Sequence, residues 1–298
     1  MSEINLLQSY LGDHRVTDVL IDGSVSALVE REGRLEKVAN PFPNEEEVVS
    51  WTKQLLRTNG SRLDIAKPIS EITLDSEFGL LRIHVVMQGE CCKRTQVSIR
   101  RHQVASLTLQ DLLNSSSITK GQMALLLTII EAKENFVIIG GTGSGKTTLL
   151  KAMFTPAIQE RVITIEDAPE LNLLGNAVSL TTRLTNHEGV GEISIAQLLR
   201  EALRMRPDRL VVGEARGEEL LVLLQAMNTG HSGAGFTLHA NSVTDALPRM
   251  LAILAGVGVN PELGRLLVAS SITWAIEVKR VGSRRTVTAI ERLVVSNV

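Results

Sequence analysis

The sequence predicts an α/β protein of two domains, a smaller α+β domain followed by a larger one built on a mostly parallel sheet. Three observations predict it. Its 298 residues are too many for one small domain, at roughly 100–200 residues per domain. Up to about residue 107, short strand patterns surround one amphipathic helix; from about residue 120, fully apolar runs alternate with helices. Between them the polar stretch 108–119, with Ser115, Ser116 and Ser117 in a row, reads as a linker. The expected domains are therefore 1–107 and 120–298.

In the first domain, strands are expected at 18–21, 25–30 and 35–38, separated by Asp-Gly and Glu-Gly turns. Asn44 caps the following helix, with Glu47 three residues on to close the capping box. Val48, Trp51, Leu55 and Leu56 form its apolar face, and Gly60 ends it. Residues 71–74, 80–87 and 95–101 return to strands of an antiparallel sheet. In the second domain, strands are expected at 136–140, 162–166, 210–213, 235–239 and 274–279. No internal repeat interrupts the pattern.

Composition narrows the function classes. With 31 basic and 33 acidic side chains the net charge is −2, which gives the whole chain no pull toward a polyanion. Aromatics at 3% argue against a surface that stacks nucleic-acid bases. No stretch reaches the roughly 18–20 apolar residues of a membrane span, and the first residues lack the pattern of a secretory signal. Cys91 and Cys92 are adjacent, a spacing that suits no metal site, so they read as free thiols of a reducing cytosol. Charge is unevenly spread: residues 1–90 carry nine basic and fifteen acidic groups, after which Lys93, Arg94, Arg100 and Arg101 follow within nine residues. That run is either a solvated strand edge or a basic strip facing a phosphate.

The strongest chemical signal is GGTGSGKTT at 140–148, which matches G-x-x-x-x-G-K-[ST]. An apolar strand feeds it and a helix, stopped by Pro156, leaves it. Gly141, Thr142, Gly143, Ser144 and Gly145 let backbone N–H groups converge on a phosphate, Lys146 meets the β/γ-phosphates, and Thr147 and Thr148 follow at the helix start. The hydroxyl of Thr147 is the expected Mg²⁺ ligand. The site is expected to bind a nucleoside triphosphate.

Two acidic positions accompany it. Glu214 follows the apolar run 210–213 and sits where a strand end delivers a carboxylate that can activate water. Glu166 and Asp167 end another strand; they serve a metal or a water there, or else form a solvated turn. His231 and His239 flank the glycines at 230, 233 and 235 and suit a γ-phosphate sensor or ordinary packing.

Four segments in this order resemble the type II/type IV secretion ATPases. After the phosphate loop, VITIEDAPEL (162–171) is similar to the family's acidic box, and ALRMRPDRLVVGEARGEE (202–219) to its Walker B region. QAMNTGHSGAGFTLHANS (225–242) is similar to its histidine box, and the wording most resembles the CpaF-type ATPases of tight-adherence pili. The resemblance implies a RecA-like P-loop ATPase domain, a hexameric ring, ATP and Mg²⁺ as cofactors, and Lys146 and Thr147 on phosphates and metal. It also implies Glu214 as the base, Glu166 and Asp167 serving the metal or water, and His231 and His239 as sensors. By the same resemblance Arg82, Arg100 and Arg101 reach the nucleotide from the N-terminal domain. A cytoplasmic location follows, possible peripheral membrane contact included, with an inner-membrane platform protein as partner and no direct nucleic acid. Two features depart from the family: Gln88 to Cys92 replace the usual prolines, and the long N-terminal extension of CpaF-type proteins is not matched.

The expected activity is ATP hydrolysis coupled to pilus assembly or protein secretion. A nucleotide-dependent assembly switch and a nucleic-acid motor are the alternatives. No LSGGQ or NKxD motif points to a transporter-type ATPase or a GTPase.

Overall fold

The computed structural model describes residues 3–102, 107–157, 159–183, 190–282 and 284–294. The chain forms two compact units, Met1–Val104 and Ala105–Val298.

In the first unit a helical turn, α1 (Gln8–Leu11), precedes the hairpin strands β1 (Val16–Asp22), β2 (Ser26–Arg31) and β3 (Arg34–Val38). Then come α2 (Glu45–Thr58), β4 (Ile69–Ser76), β5 (Gly79–Val86) and β6 (Gln96–His102). All pairs are antiparallel, in the order β3-β2-β1-β6-β5-β4. The strands alternate, so Val19, Ile21, Ala27, Val29, Leu81, Ile83, Val85, Val97 and Ile99 share one buried face. Helix α2 supplies Val48, Leu55 and Leu56 to that core, and the side chain of Asn44 caps it by accepting from Glu47 N–H at 2.9 Å. The expected helix and its Asn44 cap are present, but the box is not closed: Glu47 Oε1 accepts from Asn44 Nδ2 at 3.3 Å instead of from the backbone N–H.

The second unit opens with α3 (Leu109–Asn114), so the stretch expected as a linker carries a helix of its own, capped reciprocally by Thr108 and Asp111. Next come α4 (Lys120–Glu131), β7 (Phe136–Ile139), α5 (Lys146–Phe154), β8 (Val162–Glu166) and β9 (Val178–Thr181). The chain continues through α6 (Ile195–Ala202), β10 (Arg209–Val212), α7 (Glu218–Asn228), β11 (Gly235–Leu238), α8 (Val243–Gly256) and α9 (Pro261–Ser271). It ends in the antiparallel hairpin β12 (Trp274–Val281) and β13 (Arg284–Arg292).

The sheet order is β13-β12-β7-β11-β10-β8-β9, parallel from β12 to β9. Its central strands are buried on both faces. Val137, Ile139, Ile163, Ile165 and Val212 point into one core, while Phe136, Ile138, Val162 and Val211 point into the other. Helices α6 to α9 cover the first face, and α3 to α5 the second. Each fully buried Val, Leu or Ile contributes roughly 1.5–3 kcal/mol, so this double core fixes the strand register firmly. Parallel pairing of Leu238 with Ile139, Phe236 with Val212, and Val212 with Ile165 brings the C-terminal ends of β7, β11, β10 and β8 to one edge.

Candidate active site at the carboxyl edge of the parallel sheet

The phosphate loop leaves β7 at that edge. Gly140 has φ +154°, and a Cβ there would lie 2.2 Å from the Val278 carbonyl oxygen, so no side chain fits. Gly145 is left-handed at φ +101° and forms the N-cap of α5, turning the chain directly into the helix. The first N–H groups of α5 have no intrahelical acceptor and open toward the loop, the usual seat of an anion.

Lys146 is buried at 7% exposure, and its Nζ donates to the carbonyls of Gly140 at 3.0 Å and Gly141 at 2.9 Å. Burial pushes its ammonium below the ordinary lysine value, against the pull of Glu214. Thr147 and Thr148 follow on α5, half-buried, while Gly141, Thr142 and Gly143 are exposed. The hydroxyl of Ser144 is buried and unpartnered.

Glu214 stands two residues past the end of β10. Its Oε1 and Oε2 accept from Arg216 Nε and Nη2 at 2.7 and 2.8 Å, and His239 Nε2 lies 3.4 Å from Oε1. Burial works to raise its pKa, but Arg216, His239 and Lys146 together outweigh burial and hold the carboxyl below the ordinary value.

His239, just past β11, faces Lys146 Nζ with Nδ1 at 3.5 Å. Burial first, and Lys146 second, lower its pKa, so the ring is neutral at pH 7. One tautomer suits both neighbours: with the proton on Nε2, that edge faces Glu214 at 3.4 Å, and the Nδ1 lone pair meets the Lys146 ammonium.

Glu166 is 3% exposed at the end of β8. Its Oε1 accepts from the N–H groups of Glu170 at 3.1 Å and Leu171 at 3.0 Å, while Oε2 is buried without a partner. Burial pushes its carboxyl up to about 8, only partly offset by those N–H groups. Gly213 packs against it: a Cβ there would stand 3.1 Å from Glu166 Cγ. The neighbouring Asp167 is exposed, 3.6 Å from Arg216 Nη1.

Among the described residues no three His, Cys, Asp or Glu side chains converge as a metal cage. The hydroxyl of Thr147 and the carboxylate of Asp167 instead suit a hard cation held largely by water and phosphate, to which Glu166 could add its orphaned oxygen only on losing its proton.

The parallel strand separates the two histidines. His239 follows β11 and His231 precedes it, so about 10 Å of strand lies between them and only His239 reaches the loop. His231 instead sets its Nδ1 3.3 Å from the Ala226 carbonyl oxygen, at the C-terminal end of α7.

In the first unit, Arg100 and Arg101 are successive residues of β6 and therefore point to opposite faces. The pair therefore does not present both guanidinium groups on one face. Arg101 is 9% exposed and donates to the Asp13 carbonyl at 2.9 Å and to the Leu11 carbonyl, which ties α1 to the sheet. Arg100 sits directly across from Arg82. Each of these two is paired with an acid of its own unit, Arg100 with Asp18 at 2.9 Å and Arg82 with Glu71.

Two site residues escaped the sequence reading. Arg216 holds Glu214 from two positions along the chain, a spacing that was visible. Arg285, from the distant β13 hairpin strand, donates to the Gly143 carbonyl at 3.1 Å, and no local pattern signals that. Beside the loop lies a cavity of about 310 Å³ that Gly145 and Thr148 share with Leu112, Leu149, Val278 and Arg285.

A family model described as "Type II/IV secretion system protein" matches residues 81–280. A putative conjugal transfer protein of Mycobacterium tuberculosis is 37% identical over 291 residues, 94% of this chain and 82% of that protein. The VirB11 ATPase of the Brucella suis type IV secretion system, solved with sulphate, is similar at 25% identity and TM-score 0.52, covering 97% of this chain and 96% of its own. The Legionella pneumophila ATPase DotB, at 21% identity and TM-score 0.65, covers 96% and 80% and shares the fold. That fold is an N-terminal domain followed by a RecA-like ATPase domain. On the extent of the family match and the identity to the mycobacterial protein, this chain belongs to the type II/IV secretion system protein family.

Proposed function

We propose that this chain hydrolyses ATP to drive a machine that moves protein, or a pilus, across the cell envelope. The observation that carries the reading is the continuous line Lys146–His239–Glu214, which joins the phosphate loop to a carboxylate at the neighbouring strand end. A nucleotide's phosphates take the Lys146 ammonium from the carbonyls of Gly140 and Gly141, and that movement is felt at His239 and passed to Glu214. Glu214 accepts the proton of the attacking water. Thr147, Asp167 and Glu166 would hold a Mg²⁺ ion, which would supply neutralisation of phosphate charge. The base of the nucleotide suits the cavity beside Gly145, with the apolar Leu112, Leu149 and Val278 against its faces.

The relatives support the wider setting. A mycobacterial relative is named for conjugal transfer and a structural neighbour for type IV secretion, so we assign the chain to an envelope-spanning transfer system. Within that class the reading is of a CpaF-like engine, a homohexamer on the cytoplasmic side, working on an inner-membrane platform protein. Among the described residues no helix is long and apolar enough to cross a membrane. Arg100 and Arg82, side by side on one sheet face, are the N-terminal arginines proposed to reach the nucleotide. Arg101, with its buried guanidinium, belongs to the framework of its unit.

A second reading, a nucleotide-dependent assembly switch, draws on the closed Glu214–Arg216 pair, which leaves the base occupied. Titration with ATP and with a non-hydrolysable analogue tests the binding half directly. Lys146→Ala is expected to abolish binding of both, while Glu214→Gln binds both with little change. Equal binding by Lys146→Ala and the wild type would remove the phosphate-loop assignment.

A further inference from the structure

Both carboxylate oxygens of Glu214 are taken. Arg216 holds them in a two-pronged pair, and His239 leans on Oε1 as well. A carboxylate in that state keeps a free lone pair on Oε2, but the guanidinium charge lowers its basicity, so it is a weaker proton acceptor until Arg216 leaves. The Arg216 side chain is 57% exposed and Glu214 20%, so the pair is half-solvated and easily exchanged.

Arg216 also lines a cavity of about 390 Å³ between the start of α7 and one face of α8. Arg249, Ala252 and Ile253 project into it from successive turns of α8, with Val257 at its end. No acidic side chain lines this cavity. Arg249 is exposed, and among the described residues it has neither an ion pair nor a hydrogen bond. Two guanidinium groups thus share one cavity: Arg216 is balanced there by Glu214 and Asp167, while Arg249 has no acid of its own among the described residues. The volume exceeds that of a bare inorganic anion, and its Ala252, Ile253 and Val257 wall is apolar, which suits an organic carboxylate with an apolar body.

We propose that Arg216 is a latch on Glu214, and that a carboxylate bound between Arg216 and Arg249 opens it. The proposal rests on Glu214 being the hydrolytic base. Arg216 is a positioning residue: its guanidinium turns from Glu214 to the incoming carboxylate, Arg249 supplies the second donor, and the freed base faces its water. The carboxylate comes either from an acidic protein segment or from a free small acid, and both offer the same group to the same donors. Hydrolysis thereby becomes conditional on a signal arriving on the α7–α8 side of the sheet edge.

The test measures Mg²⁺-ATP turnover of the full chain with two probes, an acetylated Leu-Glu-Leu tripeptide amide and free glutarate, against an acetylated Leu-Gln-Leu amide control. The latch predicts that one carboxylate probe raises kcat roughly two- to fivefold with KM for ATP unchanged, the scale of one half-exposed ion pair. The responding probe identifies the source. Arg216→Ala is expected to raise the unstimulated kcat by a similar factor, Arg216→Lys by less, and Arg249→Glu to lose the response to the probe. Thermal melting checks that each variant is folded. A folded Arg216→Ala whose kcat is unchanged or lower overturns the latch, and failure of both probes to bind or stimulate overturns the carboxylate site. Glu214→Gln reports the underlying assignment separately: if it retains full turnover, the base has been misassigned, whatever Arg216→Ala does.

Discussion

The Nζ of Lys146 stands 3.5 Å from Nδ1 of His239, and the opposite ring nitrogen stands 3.4 Å from Glu214. A neutral imidazole therefore bridges the cation of the phosphate loop and the carboxylate of the adjacent strand. Those residues lie far apart in sequence and meet because β7, β11 and β10 are parallel neighbours in matching register.

His239→Ala is expected to lower kcat with little change in KM. Losing a hydrogen bond to a charged group costs about 1.5–3 kcal/mol, which corresponds to roughly a 10- to 100-fold fall if it is made in the transition state. His239→Gln, which keeps a donor and an acceptor, should recover part of it. His231→Ala should leave kcat of the isolated chain within about twofold, because its ring lies at the other end of β11. Steady-state kinetics of the three variants checks this, and equal losses in His231→Ala and His239→Ala would break the assignment.

Burial of Glu166 gives stability a pH dependence whose sign is fixed. Its folded carboxyl titrates at about 8, above the ordinary value of 4.5, so the folded chain holds a proton that the unfolded chain has released. Stability therefore falls as pH rises between those two values, and the loss is complete above about 8. Glu166→Gln, which mimics the protonated form, is expected to flatten that slope and to be more stable than the wild type at pH 8. Urea unfolding in EDTA from pH 5 to 9 measures it; parallel curves for the two proteins would contradict the buried neutral carboxyl.

Much of the architecture was legible because its signals are local. The strands at 136–139 and 162–166 are unbroken apolar runs, and the glycine loop lies between strand and helix as its motif requires. The strands β9 and β13 went unseen. The first has only four residues, none fully buried, and the second is Arg- and Thr-rich with Val287 its one fully buried position. The site was legible to the level of its acids and its lysine. What it lacked was direction: Arg100 and Arg101 look equivalent in a charge count, yet strand alternation sends one outward and the other into the protein.

That alternation predicts different phenotypes. Arg101→Ala removes donors to the carbonyls of Leu11 and Asp13 and is expected to destabilise the chain by about 1–3 kcal/mol. Arg100→Ala breaks one exposed pair and should cost below about 1 kcal/mol, while lowering turnover if it is the arginine that reaches the nucleotide. Chemical denaturation and turnover measured on the same samples separate the two effects. Equal destabilisation by both substitutions would mean the faces are wrongly assigned.

The central claim is that Glu214 completes an ATP-hydrolysing site on this chain. Steady-state Mg²⁺-ATP hydrolysis across a range of protein concentrations, with Glu214→Gln as control, tests it most directly. The account predicts activity in the wild-type chain that climbs with concentration as subunits assemble, and its loss in a variant that still binds ATP. Turnover in Glu214→Gln equal to that of the wild type would contradict it.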